Sequence, residues 1–410
     1  MGYHFISDSS YIGGLLVDYL IPTLFGQDIL VLLFILVSVV EETRGEKFLG
    51  FLNGFLRGDR RVLAITLAGL LGTVLLSVLF SSNFLVSFVW FLRFFLYGAF
   101  AFLVSARFKF KEIFPRSVHL LSFSILFLCV LGFFQFFKQG SVFNNYLFLG
   151  EQPYSFSTKN INKESLFGFT VVPPYGLFRH PNILGGFLCV TLLWIFSRLF
   201  ELIELRKTEL RSKLYFKLYV GVFTSGVLLL LLTFSMFSIG FFVLGVALYL
   251  LKERKEFLSV LAGVILVALV SSVFVFFLIP EVFSEDPSFE RREILLSTSY
   301  SMLPSSFLFG AGPGNSVAEM SSFLPYTLGA RFLQPVHNIF VLTLLESGIF
   351  VLIFFLVLLG LTLKKALREK PLLAISLVQV VALGCFDHYF LTIHQPLLLL
   401  WFLIGLVWTS

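Results

Sequence analysis

The chain has 410 residues, of which 58% are hydrophobic and only 13% charged, with a net charge of +6 and a mean hydropathy of +0.94. This balance excludes a soluble globular domain, because such domains carry about 25% charged residues. Apolar runs long enough to cross a bilayer recur along the whole length, so the sequence predicts an all-α polytopic integral membrane protein with about 11–12 transmembrane helices. We expect a single membrane domain over residues 1–410.

The predicted spans follow one another with short connections, apart from two long loops. The first apolar run contains Asp18, Pro22 and Asp28. It is either one long tilted helix or a short re-entrant piece followed by a span, which would make twelve spans. The predicted spans cover about residues 16–40, 62–80, 83–105, 118–137, 179–200, 214–234, 236–251, 257–280, 336–362, 371–388 and 394–409.

The basic residues indicate which way the chain crosses the membrane. Most of the 30 lysines and arginines lie on alternate connections, at residues 41–61, 106–117, 198–217, 252–256 and 364–370. Cytoplasmic loops carry such an excess, so these connections are predicted to face the cytoplasm. Residues 138–178 and 281–335 then form two extracytoplasmic loops. Because the positive charge follows the topology, we expect no nucleic-acid partner.

Cysteine and histidine spacing does not indicate a metal site. Cys129, Cys189 and Cys385 lie in apolar runs without paired spacing, which favours core or lipid-facing positions over a disulfide framework. The six histidines do not occur at helical ligand spacing with a carboxylate partner. From the sequence we therefore expect neither a metal nor another cofactor.

Arg93 lies at the midpoint of the third predicted span. An arginine at the bilayer centre costs about 2.5–3.5 kcal/mol on insertion scales and usually faces a polar interior. Two interpretations follow. Arg93 either pairs with an interior acid or helix carbonyls as a structural group, or it lies at the floor of an anion-binding cavity.

The first long loop ends in Arg179-His180-Pro181-Asn182, directly before the fifth predicted span. Pro181 suits the first turn of a helix. Arg179 and Asn182 are therefore predicted at the outer end of that helix, near the positive end of its dipole. Arg179 is either an anion ligand there or a helix-end residue that meets lipid headgroups.

The second long loop is polar and rich in glycine, and loops of this length usually have a function. Arg291 and Arg292 stand near its start, and Arg331 lies six positions before His337. Its GAGPGN hexamer allows close backbone approach; the supporting residues there are Gly310, Gly312, Gly314 and Asn315. His337-Asn338 opens the next apolar helix, and Glu346 lies two turns further along. A basic, hydrogen-bond-rich pocket at a membrane surface suits an anionic lipid headgroup such as a diphosphate.

These motifs together resemble the O-antigen ligase and O-antigen polymerase superfamily of bacterial membrane glycosyltransferases. Arg292 precedes Gly310 by eighteen positions, and the hexamer matches the G-x-G-P-G-N motif of the family. His-Asn at the opening of a span, an acid and glycine further on, and Arg with Pro-Asn before an apolar helix also match. The resemblance covers roughly residues 179–359.

The resemblance implies a metal-independent, inverting glycosyltransferase of cell-surface polysaccharide or lipopolysaccharide assembly in the bacterial inner membrane. The donor would be an undecaprenyl-diphosphate-linked glycan, and the acceptor a hydroxyl of another glycan, a lipid A-core or a protein, on the outer face. Arg179, Arg292 and Arg93 are the candidate diphosphate ligands, since guanidinium groups bind phosphate bidentately. His337 is the candidate general base. The spans would hold the polyprenyl tail beside membrane lipid.

Other interpretations remain open at this point. A polytopic transporter or flippase of lipid-linked glycan would also have many spans and a buried arginine, although such proteins usually carry internal repeats, and none is evident here. A peptidoglycan-type glycan polymerase or a non-catalytic envelope scaffold is a further alternative. His337 could instead only cap a helix, and the glycines could form a simple turn. Asp387, His388 and His394 flank the last outer turn and are predicted to be structural or supporting.

Overall fold

The computed structural model describes residues 2–43, 58–146, 150–205, 210–252, 287–324 and 332–410. The predicted span at 257–280 and Arg331 lie outside these residues. Over the described ranges the chain is mainly helical, and the strands are two or three residues long. The all-α class predicted from the composition is confirmed.

Thirteen helices occur in the described part of the chain. Six of them are long and apolar enough to cross a membrane: α2, α3, α4, α5, α6 and α10. Shorter apolar helices are α7, α11 and α13. The bounds are α1 Gly26–Thr43, α2 Asp59–Leu79, α3 Phe84–Arg107, α4 Phe110–Lys138, α5 Pro181–Leu205, α6 Leu210–Leu232, α7 Met236–Lys252, α8 Pro287–Ser306, α9 Ser316–Ser321, α10 Ile339–Glu369, α11 Pro371–Gly384, α12 Tyr389–Thr392 and α13 His394–Trp408.

Three small antiparallel strand pairs complete the secondary structure of the described residues. β1 (Gly2–His4) pairs with β4 (Thr23–Phe25), and β2 (Tyr11–Ile12) pairs with β3 (Leu15–Leu16). β5 (Glu164–Leu166) pairs with β6 (Phe169–Val171) inside the first long loop.

Three helix predictions need correction. Of the two forms predicted for the first apolar run, the single long helix is wrong: residues 16–25 form β3 in part, a 3₁₀ turn and β4, and α1 begins only at Gly26. The connection predicted at 106–117 is almost absent, since α3 ends at Arg107 and α4 begins at Phe110. The second long loop contains a 20-residue helix, α8. Its mean hydropathy is low, so no apolar run indicated it.

The chain divides into two compact units. The first comprises residues 110–279 and 371–383, and the second comprises residues 2–109, 280–370 and 384–410. In the first unit α5 packs against α4, α6 and α7. Trp194 of α5 is fully buried and donates from Nε1 to Ser376 Oγ of α11 at 2.8 Å. Gln379 of α11 donates to the Phe241 carbonyl of α7 at 3.0 Å.

In the second unit α3 packs against α1, α2 and α13, while α10 packs against α2 and α8. Trp408 of α13 donates to Thr362 Oγ1 of α10 at 3.1 Å. The buried Lys370 amino group donates to the carbonyl oxygens of Leu406, Val407 and Thr409. This lysine satisfies carbonyls that the end of α13 leaves without helical partners.

Candidate functional site

His337 stands immediately before α10, where Asn338 is the N-cap residue. The Asn338 side-chain oxygen accepts from the backbone N–H of Phe340 at 2.9 Å and Val341 at 3.1 Å. Its amide nitrogen donates to the Cys385 carbonyl at 3.2 Å. Asn338 therefore fixes the start of α10 and also holds the turn that follows α11 beside His337.

That turn brings two further titratable groups to His337. The His337 and His388 rings meet edge to face, with centroids 5.0 Å apart. The ligand atoms of His337, Asp387 and His388 all lie within 4.8 Å of one another. His388 is fixed in place, since its backbone N–H donates to Asp387 Oδ1 at 2.8 Å and its Nδ1 is 2.7 Å from Thr392 Oγ1. The result is a cluster of two imidazoles and one carboxylate.

Helix α8 supplies the positive charge of the site. Arg291 and Arg292 lie in its first two turns, and Leu295 and Met302 of the same helix are buried in a core with Leu345 of α10. The Arg292 charge acts on His337 and on Asp387. The Nε atom of Arg292 is buried and has no hydrogen-bond partner among the described residues, and the same holds for Nδ1 of His337. Two buried polar atoms of the site thus lack a hydrogen-bond partner among the described residues.

The electrostatics of the cluster keep the histidines neutral and the aspartate charged. Burial lowers the pKa of His337 to about 3; Asp387 opposes this, while His388, Arg292 and Arg291 add to it. Burial likewise lowers the pKa of His388. Burial alone would raise the pKa of Asp387, but His337, His388 and Arg292 hold it below the usual value.

The same three residues could also hold a metal ion. Two imidazoles and a carboxylate are a ligand set that Zn²⁺ accepts. The spacing of the histidines in the sequence did not indicate this, because His337 lies fifty positions before Asp387. The neighbouring Arg292 disfavours a cation here, since its charge acts on the same groups.

The GAGPGN hexamer docks into a break in α10. Gly348 has φ 79° and ψ 178°, which interrupts the helix. The Leu345 and Glu346 carbonyls accept instead from the backbone N–H groups of Ala311 and Gly312, each at 2.8 Å. A broken transmembrane helix is tolerated where such partners satisfy its backbone. The N–H groups of these two loop residues therefore hold the helix break and are not directed at a ligand.

Close packing explains the glycines of the hexamer. Gly310, Gly312 and Gly314 all have positive φ, at 74°, 100° and 81°. A Cβ at Gly310 would lie 2.2 Å from the Glu346 carbonyl carbon, and one at Gly314 would lie 2.3 Å from the Trp90 ring. The hexamer is thus a tight clamp between α3 and α10.

Two polar side chains lock this clamp. Glu346 accepts from Ser316 Oγ at 2.7 Å and from the Gly314 backbone N–H. Asn315 donates to Ser87 Oγ at 2.9 Å and to the Asn83 carbonyl at 3.2 Å. The supporting role of these residues at the site stays a prediction, as does any direct contact with substrate.

Arg93 has protein partners for its charge. Its guanidinium contacts Asp28 at 3.3 Å, donates to the Thr23 carbonyl, and stacks near the rings of Phe25 and Trp90 at 5.0 and 4.9 Å. Both Arg93 and Asp28 are buried. These contacts favour the structural interpretation; its role as a diphosphate ligand stays a prediction.

Arg179 and Asn182 belong to the first unit. Pro181 begins α5 as predicted, and the His180 ring accepts the Asn182 backbone N–H at Nδ1, at 3.1 Å. His180 thereby caps α5, a role that its place in the sequence did not indicate. Arg179 is half-buried, and its role as a diphosphate ligand stays a prediction.

An apolar cavity in the second unit adjoins the histidine cluster. Pro335, two residues before His337, and Thr392, the partner of His388, line one part of it. Its other walls are mainly aromatic and aliphatic and include Tyr19, Trp90, Phe94, Leu342, Phe355 and Trp401. A polar cluster thus borders an apolar space.

Fold and site together define a polytopic helical membrane protein with a basic, imidazole-containing site beside a broken transmembrane helix. Residues 220–356, from α6 into α10, match the family model described as O-antigen ligase. The match confirms the resemblance that the motifs indicated, to the O-antigen ligase and polymerase superfamily, over this part of the chain. No curated protein matches the chain.

Proposed function

We propose that this protein transfers a glycan from an undecaprenyl-diphosphate carrier to an acceptor hydroxyl on the outer face of the bacterial inner membrane. The observation that carries the proposal is the cluster of Arg292, His337 and Asp387. It combines a guanidinium whose Nε has no hydrogen-bond partner among the described residues with a neutral imidazole and a charged carboxylate. The adjoining apolar cavity supports a lipid-linked donor.

The reaction requires a bond to form and another to break at the anomeric carbon of the donor sugar. The acceptor oxygen attacks that carbon, and the bond to the diphosphate oxygen breaks, with the electron pair leaving on the diphosphate. Attack opposite to the leaving group inverts the anomeric configuration. The hydroxyl proton moves to a ring nitrogen of His337.

Asp387 assists His337 in this scheme. A carboxylate within 4.8 Å of the imidazole stabilises the imidazolium that forms when the proton arrives. A gap somewhat longer than a hydrogen bond is usual before substrate binds, because catalytic contacts often tighten only in the complex. Asp387 therefore raises the proton affinity of His337 at the moment of reaction.

Arg292 binds the leaving group. Its planar guanidinium can donate two parallel hydrogen bonds to phosphate oxygens and remains charged at every working pH. The negative charge on the diphosphate grows as the sugar departs, and a fixed cation stabilises it without a metal ion. Arg179, at the start of α5, is the proposed second cation for the same diphosphate.

The test is glycan transfer by purified protein in liposomes, with a labelled polyprenyl-diphosphate-linked glycan and separate glycan and lipid acceptors. We expect His337→Ala to lose transfer by about 10²–10⁴-fold, the usual contribution of a general base, while donor binding persists. Arg292→Ala and Arg292→Lys should both weaken donor binding. Arg368→Lys, at an exposed arginine of α10, is the matched control.

Product length decides between two reaction types, because a polymerase extends one glycan whereas a ligase caps a distinct acceptor once. Full transfer by both His337→Ala and Arg292→Ala would contradict the proposal. Carrier movement across the bilayer without any transfer would point to a flippase.

A further inference from the structure

The first long loop carries a hairpin with an exposed aromatic tip. Strands β5 and β6 are joined by the two residues Phe167 and Gly168. The side chain of Phe167 is 93% exposed and that of Phe169 is 75% exposed. Two neighbouring phenylalanines exposed to this degree indicate contact with another apolar phase or molecule.

The strand register makes the hairpin amphipathic. Leu166 pairs with Phe169 and Glu164 with Val171, so these four side chains share one face. Three of the four are apolar. The Ser165–Thr170 pair forms the opposite, polar face. The Leu166–Phe169 pair of the apolar face directly adjoins the tip.

The conformation of the turn does not favour a phenylalanine at position 167. Phe167 has φ 50° and Gly168 has φ 83°. Two-residue hairpin turns with positive φ at both positions favour Asn, Asp or Gly at the first, and a bulky residue there is strained. A strained residue at an exposed tip points to a role outside folding.

The root of the hairpin lies at the end of a membrane-spanning helix. The Val172 backbone N–H donates to Gln139 Oε1 at 2.7 Å, and Gln139 directly follows α4. On the last turns of α4, Phe134 and Phe137 are 62% and 82% exposed, so its lipid-facing surface extends to this end. Strands of three residues span only about 10 Å, so the tip of the hairpin lies at about the same level along the membrane normal as the end of α4.

Basic side chains accompany the aromatic rings. Lys159 and Lys163 are both exposed. The Lys163 amino group lies 4.5 Å from the centroid of the Phe156 ring, which is itself half exposed. Exposed lysines beside apolar rings suit the boundary between anionic lipid headgroups and acyl chains.

We propose that the hairpin of residues 164–171 is an interfacial anchor, which inserts Phe167 and Phe169 among the lipids of the adjacent leaflet while Lys159 and Lys163 contact anionic headgroups. This anchor fixes the first long loop to the membrane surface beside α4. It is independent of the glycosyl transfer proposed above.

The test measures the depth of the tip in nanodiscs that contain phosphatidylglycerol and phosphatidylethanolamine. Cys385, the exposed cysteine, is first replaced by serine, and a fluorophore is attached to Phe167→Cys or to the matched control Ser165→Cys. The apolar surroundings should shift the emission of the label at 167 to the blue, and nitroxide groups on the upper acyl chain should quench it. They should leave the label at 165 almost unchanged.

A second variant separates the aromatic ring from the turn. Phe167→Asn places a favoured residue in the strained position, so the thermal stability should hold or rise. With the label at Phe169→Cys, this substitution should reduce quenching, and so should replacement of the anionic lipid by phosphatidylcholine. Equal quenching at 165 and 167, or no quenching at 167, would overturn the proposal. The proposal would also be overturned if protection of the tip from solvent depended on protein concentration or on added glycan. The tip would then contact a second copy of the protein or a sugar instead of lipid.

Discussion

Gly348 of α10 stands so close to Leu308 that a Cβ on this glycine would lie 2.2 Å from the Leu308 carbonyl oxygen. Two hydrogen bonds between the second long loop and α10 flank this contact. The Ile349 N–H donates to the Phe307 carbonyl at 2.9 Å, and the Ala311 N–H donates to the Leu345 carbonyl at 2.8 Å. The glycine thus permits both the helix break and the approach of the second long loop.

We predict that Gly348→Ala separates the loop from α10. The backbone of Gly348, with positive φ and ψ near 180°, is in a region that is essentially restricted to glycine, so an alanine there would cost about 1–3 kcal/mol. The contact with a carbonyl oxygen adds to this cost. Glycan transfer should fall together with thermal stability in detergent. Gly360→Ala, at an open position on the same helix, is the control and should change neither. Unchanged stability of Gly348→Ala would show that the clamp is not required.

The buried Arg93–Asp28 pair gives the second prediction. Removal of one partner of a buried ion pair typically costs about 3–5 kcal/mol, because the other charge is left without compensation. We therefore expect Arg93→Met and Asp28→Asn each to lower the unfolding temperature, and the double variant to lose less than the sum. Loss of donor binding by Arg93→Met at unchanged stability would instead support a direct diphosphate contact.

The third prediction concerns topology. Ser157 and Ser322 are exposed and lie in the two loops assigned to the outer side. In a Cys385→Ser background, a cysteine at either position should react with an impermeant thiol reagent applied to intact cells. Arg368→Cys, at the predicted cytoplasmic end of α10, should react only after the membrane is opened. The opposite pattern of labelling would reverse the orientation.

The fourth prediction is the pH dependence of transfer. The pKa of His337 is lowered, mainly by burial, so the neutral base form persists well below pH 6.5. In the plot of kcat/KM against pH, the acid limb that is due to His337 should therefore lie below pH 6.5. Asp387 raises the pKa of His337, so Asp387→Asn should move that limb further to the acid side while it slows transfer. An acid limb that moves upward in this variant would assign it to another group.

The lowered pKa of His337 also makes the free energy of unfolding depend on pH. Between about pH 3 and 6.5 the unfolded chain binds a proton at His337 that the folded protein does not. Stability present above pH 6.5 should be lost as the pH falls through this window. His337→Gln should reduce that loss, which thermal unfolding at a series of pH values would measure.

The sequence predicts the class of fold because bilayer-length apolar runs need no tertiary information. It also predicts Arg292, His337 and Asn338 as candidate site residues, since each belongs to a local motif. It does not reveal the proximity of His337 to Asp387, which depends on a hydrogen bond from Asn338 to the Cys385 carbonyl. A weak signal existed: both groups adjoin apolar helices on the same predicted side of the membrane.

Helix α8 and the break at Gly348 were missed for a related reason. α8 is polar overall and lacks the apolar run by which a span is identified, and Pro304 near its end argues locally against a helix. The break in α10 depends on partners more than thirty residues earlier in the chain, at Phe307 and Ala311. Neither feature has a periodic signature.

The last prediction is that transfer needs no divalent ion, although His337, Asp387 and His388 could form a ligand set. His388 Nδ1 lies 2.7 Å from Thr392 Oγ1 and Asp387 Oδ1 accepts the His388 backbone N–H, so two members already have partners. Arg292 also opposes a further cation, because its charge acts on Asp387 and His388. EDTA should therefore leave the rate unchanged, and elemental analysis of the purified protein should find no stoichiometric metal. Two results together would contradict this prediction: one equivalent of Co²⁺ binds with a ligand-field spectrum that Asp387→Asn abolishes, and EDTA stops transfer. The cluster would then be a metal centre, and that ion would stabilise the diphosphate charge instead of Arg292.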